Sequence, residues 1–216
     1  MPVEEIVLMG DPRVAAVPVM ENGEPLVVVP GLRVSEHKAD LGVDRTYVRA
    51  AVAERLAEAA RRLPAGVELL FVEGWRAALV QRHYFESYRE RLRADGIASE
   101  PAELDRLASR YVAPPPLAPH TAGAAVDLTL CTTDGVELDL GTRINASPEE
   151  SDGACYTAAT NISAAATRNR AVLGAAMTAA GFVNYPTEWW HWSYGDRYWA
   201  LATGASTAIY GPAARP

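Results

Sequence analysis

Two short segments of this chain carry side chains whose types and spacing could hold a metal ion and use it. In the first, His120 is followed seven residues later by Asp127. With His120 at the mouth of a strand and Asp127 on its polar face, an imidazole and a carboxylate converge on one ion, and both are zinc donors. Gly123 between them permits a bulge or a close backbone approach. In the second segment, Glu188-Trp189-Trp190-His191, the glutamate and histidine are three apart, so a regular strand sets them on opposite faces. Both reach one site only if Glu188 lies where the chain bends into the strand, and Pro186-Thr187 supplies such a bend. His191 then becomes the third ligand and leaves a fourth position for water. Glu188, outside the ligand set, would take the water's proton and pass it to a leaving amine. Arg76, ending Glu73-Gly74-Trp75-Arg76, could stabilise an oxyanion. An ion pair with Glu73 accounts for it equally well.

Hydrophobic spacing gives the elements that must position these groups. Residues 1–45 are broken by glycine and proline and read as an arm with short strands packed on the core. From Tyr47 an apolar stripe through Val48, Val52, Leu56 and Ala59 predicts a helix that Pro64 stops. Val67–Val72 reads as a strand delivering Arg76, and a helix is expected over Ala77 to Ala94. Ser99 is placed to cap another running to Tyr111. Ala124–Leu130 alternates, with Ala125, Asp127 and Thr129 on one face and Val126, Leu128 and Leu130 on the apolar other. Residues 132–157 are too irregular to assign; the acidic run Glu149–Asp152 reads as a solvated loop or a lid. Ala159–Ala180 predicts a long helix ended by Gly181, and Phe182–Tyr185 with Trp189–Tyr194 predict paired strands. The reading is one α+β domain, with a core over residues 46–200 and a tail from 201 to 216.

Taken in order, Gly74-Trp75-Arg76, Tyr111-Val112-Ala113, the His120–Leu130 run, Leu140–Arg143, Gly181-Phe182 and Glu188–His191 resemble the VanX-like D-alanyl-D-alanine dipeptidases. That family belongs to a metallopeptidase group that includes lysostaphin-type endopeptidases and the hedgehog signalling domain. The resemblance implies about one Zn2+ per chain on His120, Asp127 and His191, with Glu188 as general base and Arg76 as transition-state stabiliser. It also implies that residues 46–200 form the catalytic core, an α+β fold whose small central antiparallel sheet carries the metal between flanking helices, with a small closed pocket for a free dipeptide. The chain departs from the family pattern with Ala118 where a serine is usual and Ala77 where a proline is common. Asn145 stands where an aspartate faces the substrate's amino end, so that either a neighbouring acid (Glu149, Glu150 or Asp152) compensates or D-Ala-D-Ala is not the preferred substrate. Trp189, Trp190 and Trp192 read as core and pocket wall; one of them is expected to line the cavity, with Trp190 as the candidate.

Composition narrows the alternatives. The 216 residues carry a net charge of −7 and no Lys/Arg cluster, which argues against a nucleic-acid partner. No stretch approaches the ~20 apolar residues of a membrane span. No secretory signal is apparent, so the expected compartment is cytoplasmic. Cys131 and Cys155 are read as reduced structural thiols, and His37 and His83 as surface or packing residues. A serine or cysteine nucleophile lacks a dedicated base, since the plausible histidines are taken by the metal. The rivals are a cell-wall D,D-carboxypeptidase or endopeptidase, and a zinc-bearing binding module without catalysis.

Overall fold

A computed structural model describes residues 6–215. The arm begins with a short helix, α1 (Pro12–Ala16), started by Asp11, whose side chain accepts from the Arg13 N–H. Strand β1 (Leu26–Val28) follows, then β2 (Arg33–Val34). The helix expected from Tyr47 starts three residues later, because Tyr47–Arg49 form strand β3, antiparallel to β1. Tertiary pairing overrides the helical stripe there: the Arg49 N–H donates to Gly123 O and its guanidinium to Ala122 O. Helix α2 (Ala50–Arg61) then buries Val52, Ala53, Leu56 and Ala59.

Strand β4 (Val67–Glu73) leads into helix α3 (Ala78–Ala94). Helix α4 (Pro101–Ala108) starts on Glu100 rather than Ser99, with proline in its first turn, where no amide hydrogen is needed. Strand β5 (Ala125–Thr132) precedes helix α5 (Ala164–Ala179). That helix starts later than its alanine content suggests, because the Ser163 hydroxyl accepts from the Ala166 N–H and sets its first turn. Two short strands, β6 (Val183–Asn184) and β7 (His191–Ser193), and helix α6 (Arg197–Thr203) complete the chain.

The main sheet has five strands in the order β2-β4-β5-β7-β6; β2 pairs parallel to β4 and every other pairing is antiparallel. Strand β5 lies at its centre and is buried on both faces through Cys131. Val126, Leu128 and Leu130 join Leu56, Leu173 and Met177 of α2 and α5 in the main core. The opposite face of β5 is therefore not the solvated face that alternation suggests, since Asp127 and Thr129 are enclosed as well. The register of β4 on β5 shifts between Phe71 and Glu73, so that Phe71 faces Leu128 while Glu73 faces Asp127. A bulge of this kind re-aims the side chains beyond it.

The described N- and C-terminal segments are tied into the same body. Met9 and Val14 are buried, Tyr210 donates to Glu24, and the Trp75 indole N–H donates to Ala213 O. Residues 132–157 carry little regular structure, but buried Arg170 organises them by donating to the carbonyls of Leu140, Ala154 and Tyr156. Among the described residues no helix is long and apolar enough to cross a membrane.

Gly123 ends the short helical turn Pro119–Ala122 with φ of +65°, and an added Cβ would lie 2.3 Å from Leu26 Cδ2. Gly123→Ala is therefore expected to lower unfolding free energy by about 1–3 kcal/mol, as measured by denaturant titration. An unchanged midpoint would contradict this backbone assignment.

Candidate functional site

Each candidate ligand is placed by a different backbone device. His120 sits in the helical turn before β5, and its Nδ1 lies 2.7 Å from Gly74 O. A carbonyl can only accept, so Nδ1 carries the proton and Nε2 keeps its lone pair. Asp127 occupies the middle strand, with Oδ1 3.4 Å from His120 Nε2 and 3.1 Å from His191 Nδ1. His191 opens β7 directly opposite Asp127 in the strand register. These donor atoms lie within 4.8 Å of one another and all three residues are buried.

The electrostatics favour ligation. Burial lowers the His120 pKa and keeps its ring neutral. Burial alone would raise the Asp127 carboxyl, but His120, His191 and Lys38 hold it well below the usual carboxylate range. His191 Nδ1 is the ring nitrogen that faces this centre, 3.1 Å from Asp127 Oδ1. Two imidazoles and one carboxylate oxygen, converging from three backbone segments, fit the donor set of a catalytic zinc with an open position.

Glu188 lies where the sequence requires it, in a bend before β7. Its N–H donates to Tyr185 O, its carbonyl accepts from the His191 N–H, and Oε2 is 3.8 Å from His191 Nδ1. It is buried, and burial together with the facing Asp127 pushes its pKa well up. Such a carboxyl is suited to hold and release a proton.

Arg76 makes the ion pair with Glu73 that its sequence allowed. Its Nε and Nη2 donate to the two Glu73 oxygens at 2.6 and 2.7 Å, and Nη1 donates to Gln81 Oε1 at 2.7 Å. These bonds use three of its five N–H donors, and the residue lines the cavity beside the candidate ligands. Glu73 is fully buried; Arg76 and Lys38 overcome the cost of burial and draw its pKa to about 2. Lys38 contacts Glu73 and stands 3.5 Å from Asp127 Oδ2.

The cavity above this centre has a volume of about 350 Å³ and includes Asn145 and Trp190 in its wall. Asn145 adopts φ of +59°, and its carbonyl accepts from the Tyr111 hydroxyl. Within residues 132–157 only Asn145 lines it. Glu149 is bonded to Tyr88 and Arg110, and Glu150 to Arg91 and Arg143, so neither acid lines the cavity as a lid or as a substitute for Asn145. Asp152, His37 and His83 are exposed, while Cys131 and Cys155 are free and buried.

Lys38, Gln81 and Tyr84 were not singled out by sequence as site residues. The signal for the last two was a polar and aromatic stripe on α3, since Gln81, Tyr84, Tyr88 and Arg91 share the face that lines the cavity. Lys38, in a left-handed turn within a loop, left no such signal.

Glu73→Gln should destabilise the fold by about 3–5 kcal/mol, because it leaves two cations without their shared anion. The Glu73 pKa is lowered on folding, from 4.5 to about 2, so its contribution is present above pH 4.5 and lost as pH falls toward 2. Denaturant unfolding across that window should show a shallower acid slope in the variant. Equal slopes would contradict the assignment.

Comparison with known proteins places the chain in a family. A family model described as D-ala-D-ala dipeptidase (peptidase M15) matches residues 35–203. A D-alanyl-D-alanine dipeptidase of Synechocystis sp. is 29% identical, over 86% of this chain and 87% of that protein. Proteins of the same name from Escherichia coli K12 and Enterococcus faecium are 40% and 38% identical over shorter stretches, 33% and 36% of this chain and 35% and 37% of theirs. The chain belongs to the D-Ala-D-Ala dipeptidase family of metallopeptidases.

Proposed function

We propose that this metallopeptidase uses zinc to hydrolyse the peptide bond of a small dipeptide, D-Ala-D-Ala or a related unusual dipeptide. The observation that carries the reading is the convergence of His120, Asp127 and His191 beside a buried glutamate and a tethered arginine. Zinc held by those three residues would acidify a water molecule and polarise the scissile carbonyl. Glu188 takes the proton of the attacking water and returns it to the amine as the C–N bond breaks. Arg76 offers its unspent N–H groups to the carbonyl oxygen as negative charge develops. Glu73 and Gln81 hold the guanidinium in place beforehand, so little reorganisation is needed during the reaction. Trp190 and Tyr111 form walls that limit the size of the substrate. The dipeptidase relatives from Synechocystis and Escherichia coli support the choice of substrate class. Free buried thiols at Cys131 and Cys155 support a reducing, cytoplasmic setting.

Protein reconstituted with zinc should hold about one ion per chain by elemental analysis. Glu188→Gln should keep that ion and lose about 10²- to 10⁴-fold in kcat. An active Glu188→Gln variant would sink the mechanism. His191→Ala should lose the ion itself, and full zinc retention there would remove His191 from the ligand set.

A further inference from the structure

We propose, resting on the hydrolase reading above, that Ser193 and Asp196 are positioning residues for the metal centre. The Ser193 hydroxyl accepts the His191 Nε2–H and donates to the Asp196 carboxylate, so that a buried anion stands behind the ligand. His120 and His191 differ in what holds the nitrogen turned away from the metal position. For His120 it is Gly74 O, 2.7 Å from Nδ1. His191 presents Nδ1 to Asp127 Oδ1 at 3.1 Å, so a ligating ring carries its proton on Nε2. That Nε2 is buried and has no hydrogen-bond partner among the described residues. A buried N–H without an acceptor bears the full cost of its desolvation, and native folds rarely leave one so.

The groups that answer it lie on the same strand and just beyond. Ser193 opposes Ala125 as His191 opposes Asp127, so the two side chains share one face of β7. Ser193 Oγ is itself buried and meets no partner at hydrogen-bond geometry, although it lies near enough to Asp196 to help hold down that carboxyl's pKa. Asp196 is buried too; burial raises its pKa, and Ser193, the Tyr198 and Trp199 amides and the His191 ring act against the rise. Its oxygens accept those two amides, one each, at 3.0 and 3.2 Å, which starts helix α6 and leaves acceptor capacity on both. Capping alone does not call for a charge, since asparagine or serine caps as well, and burying a carboxylate is costly. A second use for the charge accounts for it. Tyr185, whose ring lies 6.1 Å from that of His191, commits its hydroxyl to Ser109 O and the Met9 N–H. A serine hydroxyl accepts and donates at once, so one side chain satisfies the imidazole and itself together. The carboxylate behind it fixes the ring's orientation and makes Nδ1 a better donor to the metal.

The test is zinc affinity, measured by competition with a chelator, in Asp196→Asn and Ser193→Ala. Asparagine keeps the cap on α6 and removes the charge, while alanine removes only the hydroxyl. Each should weaken zinc binding by about tenfold or more, and the double variant should lose little beyond the weaker single one, because the two groups act in series. Thr129 Oγ1, also buried without a partner, lies on the other side of Asp127 along β5, and Thr129→Val should bind zinc as the wild type does. Thermal unfolding of the metal-free proteins reads folding separately, since a merely structural role would lower it without moving zinc affinity. By NMR on histidine-labelled, zinc-loaded protein, the His191 Nε2 proton should be protected from exchange in the wild type and exchange faster in Ser193→Ala. That pair of measurements decides the matter where Asp196→Asn fails to fold. Unchanged zinc affinity in both single variants, an equal loss in Thr129→Val, or a freely exchanging Nε2 proton in the wild type overturns the proposal and leaves the hydrolase reading intact. Wild-type protein that takes up no zinc overturns the hydrolase reading as well.

Discussion

The carboxylate of Asp127 has a different duty on each oxygen. Oδ1 faces the two imidazoles at 3.1 and 3.4 Å, while Oδ2 faces Lys38 at 3.5 Å and Arg76 at 4.0 Å. Its strand neighbours on either side are Glu73 and His191, so one row across β4, β5 and β7 sets a buried anion and two candidate ligands next to each other. A buried carboxylate is tolerable only when both oxygens are engaged in this way. The rest of the site depends on that division.

The bulge in β4 is what makes the row possible. In an unbroken ladder Val72 rather than Glu73 would stand opposite Asp127, and the Arg76 tether would point elsewhere. The chain holds the irregularity with Arg45, which donates to Val72 O, and with two close backbone bonds that bring Gly74 and Trp75 against Arg45 O and Tyr47 O. Gly74 cannot carry a side chain there, since a Cβ would lie 2.4 Å from Tyr47 O. The same glycine's carbonyl fixes the tautomer of His120. Backbone packing around one small residue is thereby coupled to which imidazole nitrogen faces the metal position.

Much of this was legible because the deciding signals are local. Two-residue alternation sets Asp127 on a definite face of β5, and Pro186-Thr187 marks the bend that lets Glu188 and His191 share a site. The bounds of α3 match the expected Ala77 to Ala94 to within a residue. What escaped the sequence depends on contacts between distant segments. Tyr47–Arg49 look helical by spacing, but pairing with β1 and the anchoring of Arg49 make them a strand. Lys38 reaches the site from a loop whose conformation no periodicity predicts. Thr129 looks like a solvated position until the site side of the sheet closes over it. Order in residues 132–157 comes from long-range bonds invisible in the segment itself, those of buried Arg170 on α5 and those of Tyr88, Arg91 and Arg110 among them.

The central claim is that three side chains hold the metal while Glu188 stays outside its ligand set. A crystal structure of the zinc-loaded protein tests this most directly, with the metal located by its anomalous signal. The account predicts an ion on His120 Nε2, Asp127 Oδ1 and His191 Nδ1 at about 2.0–2.2 Å, with Glu188 close by but not bound to it. An ion ligated by Glu188, or seated away from Asp127, would contradict it.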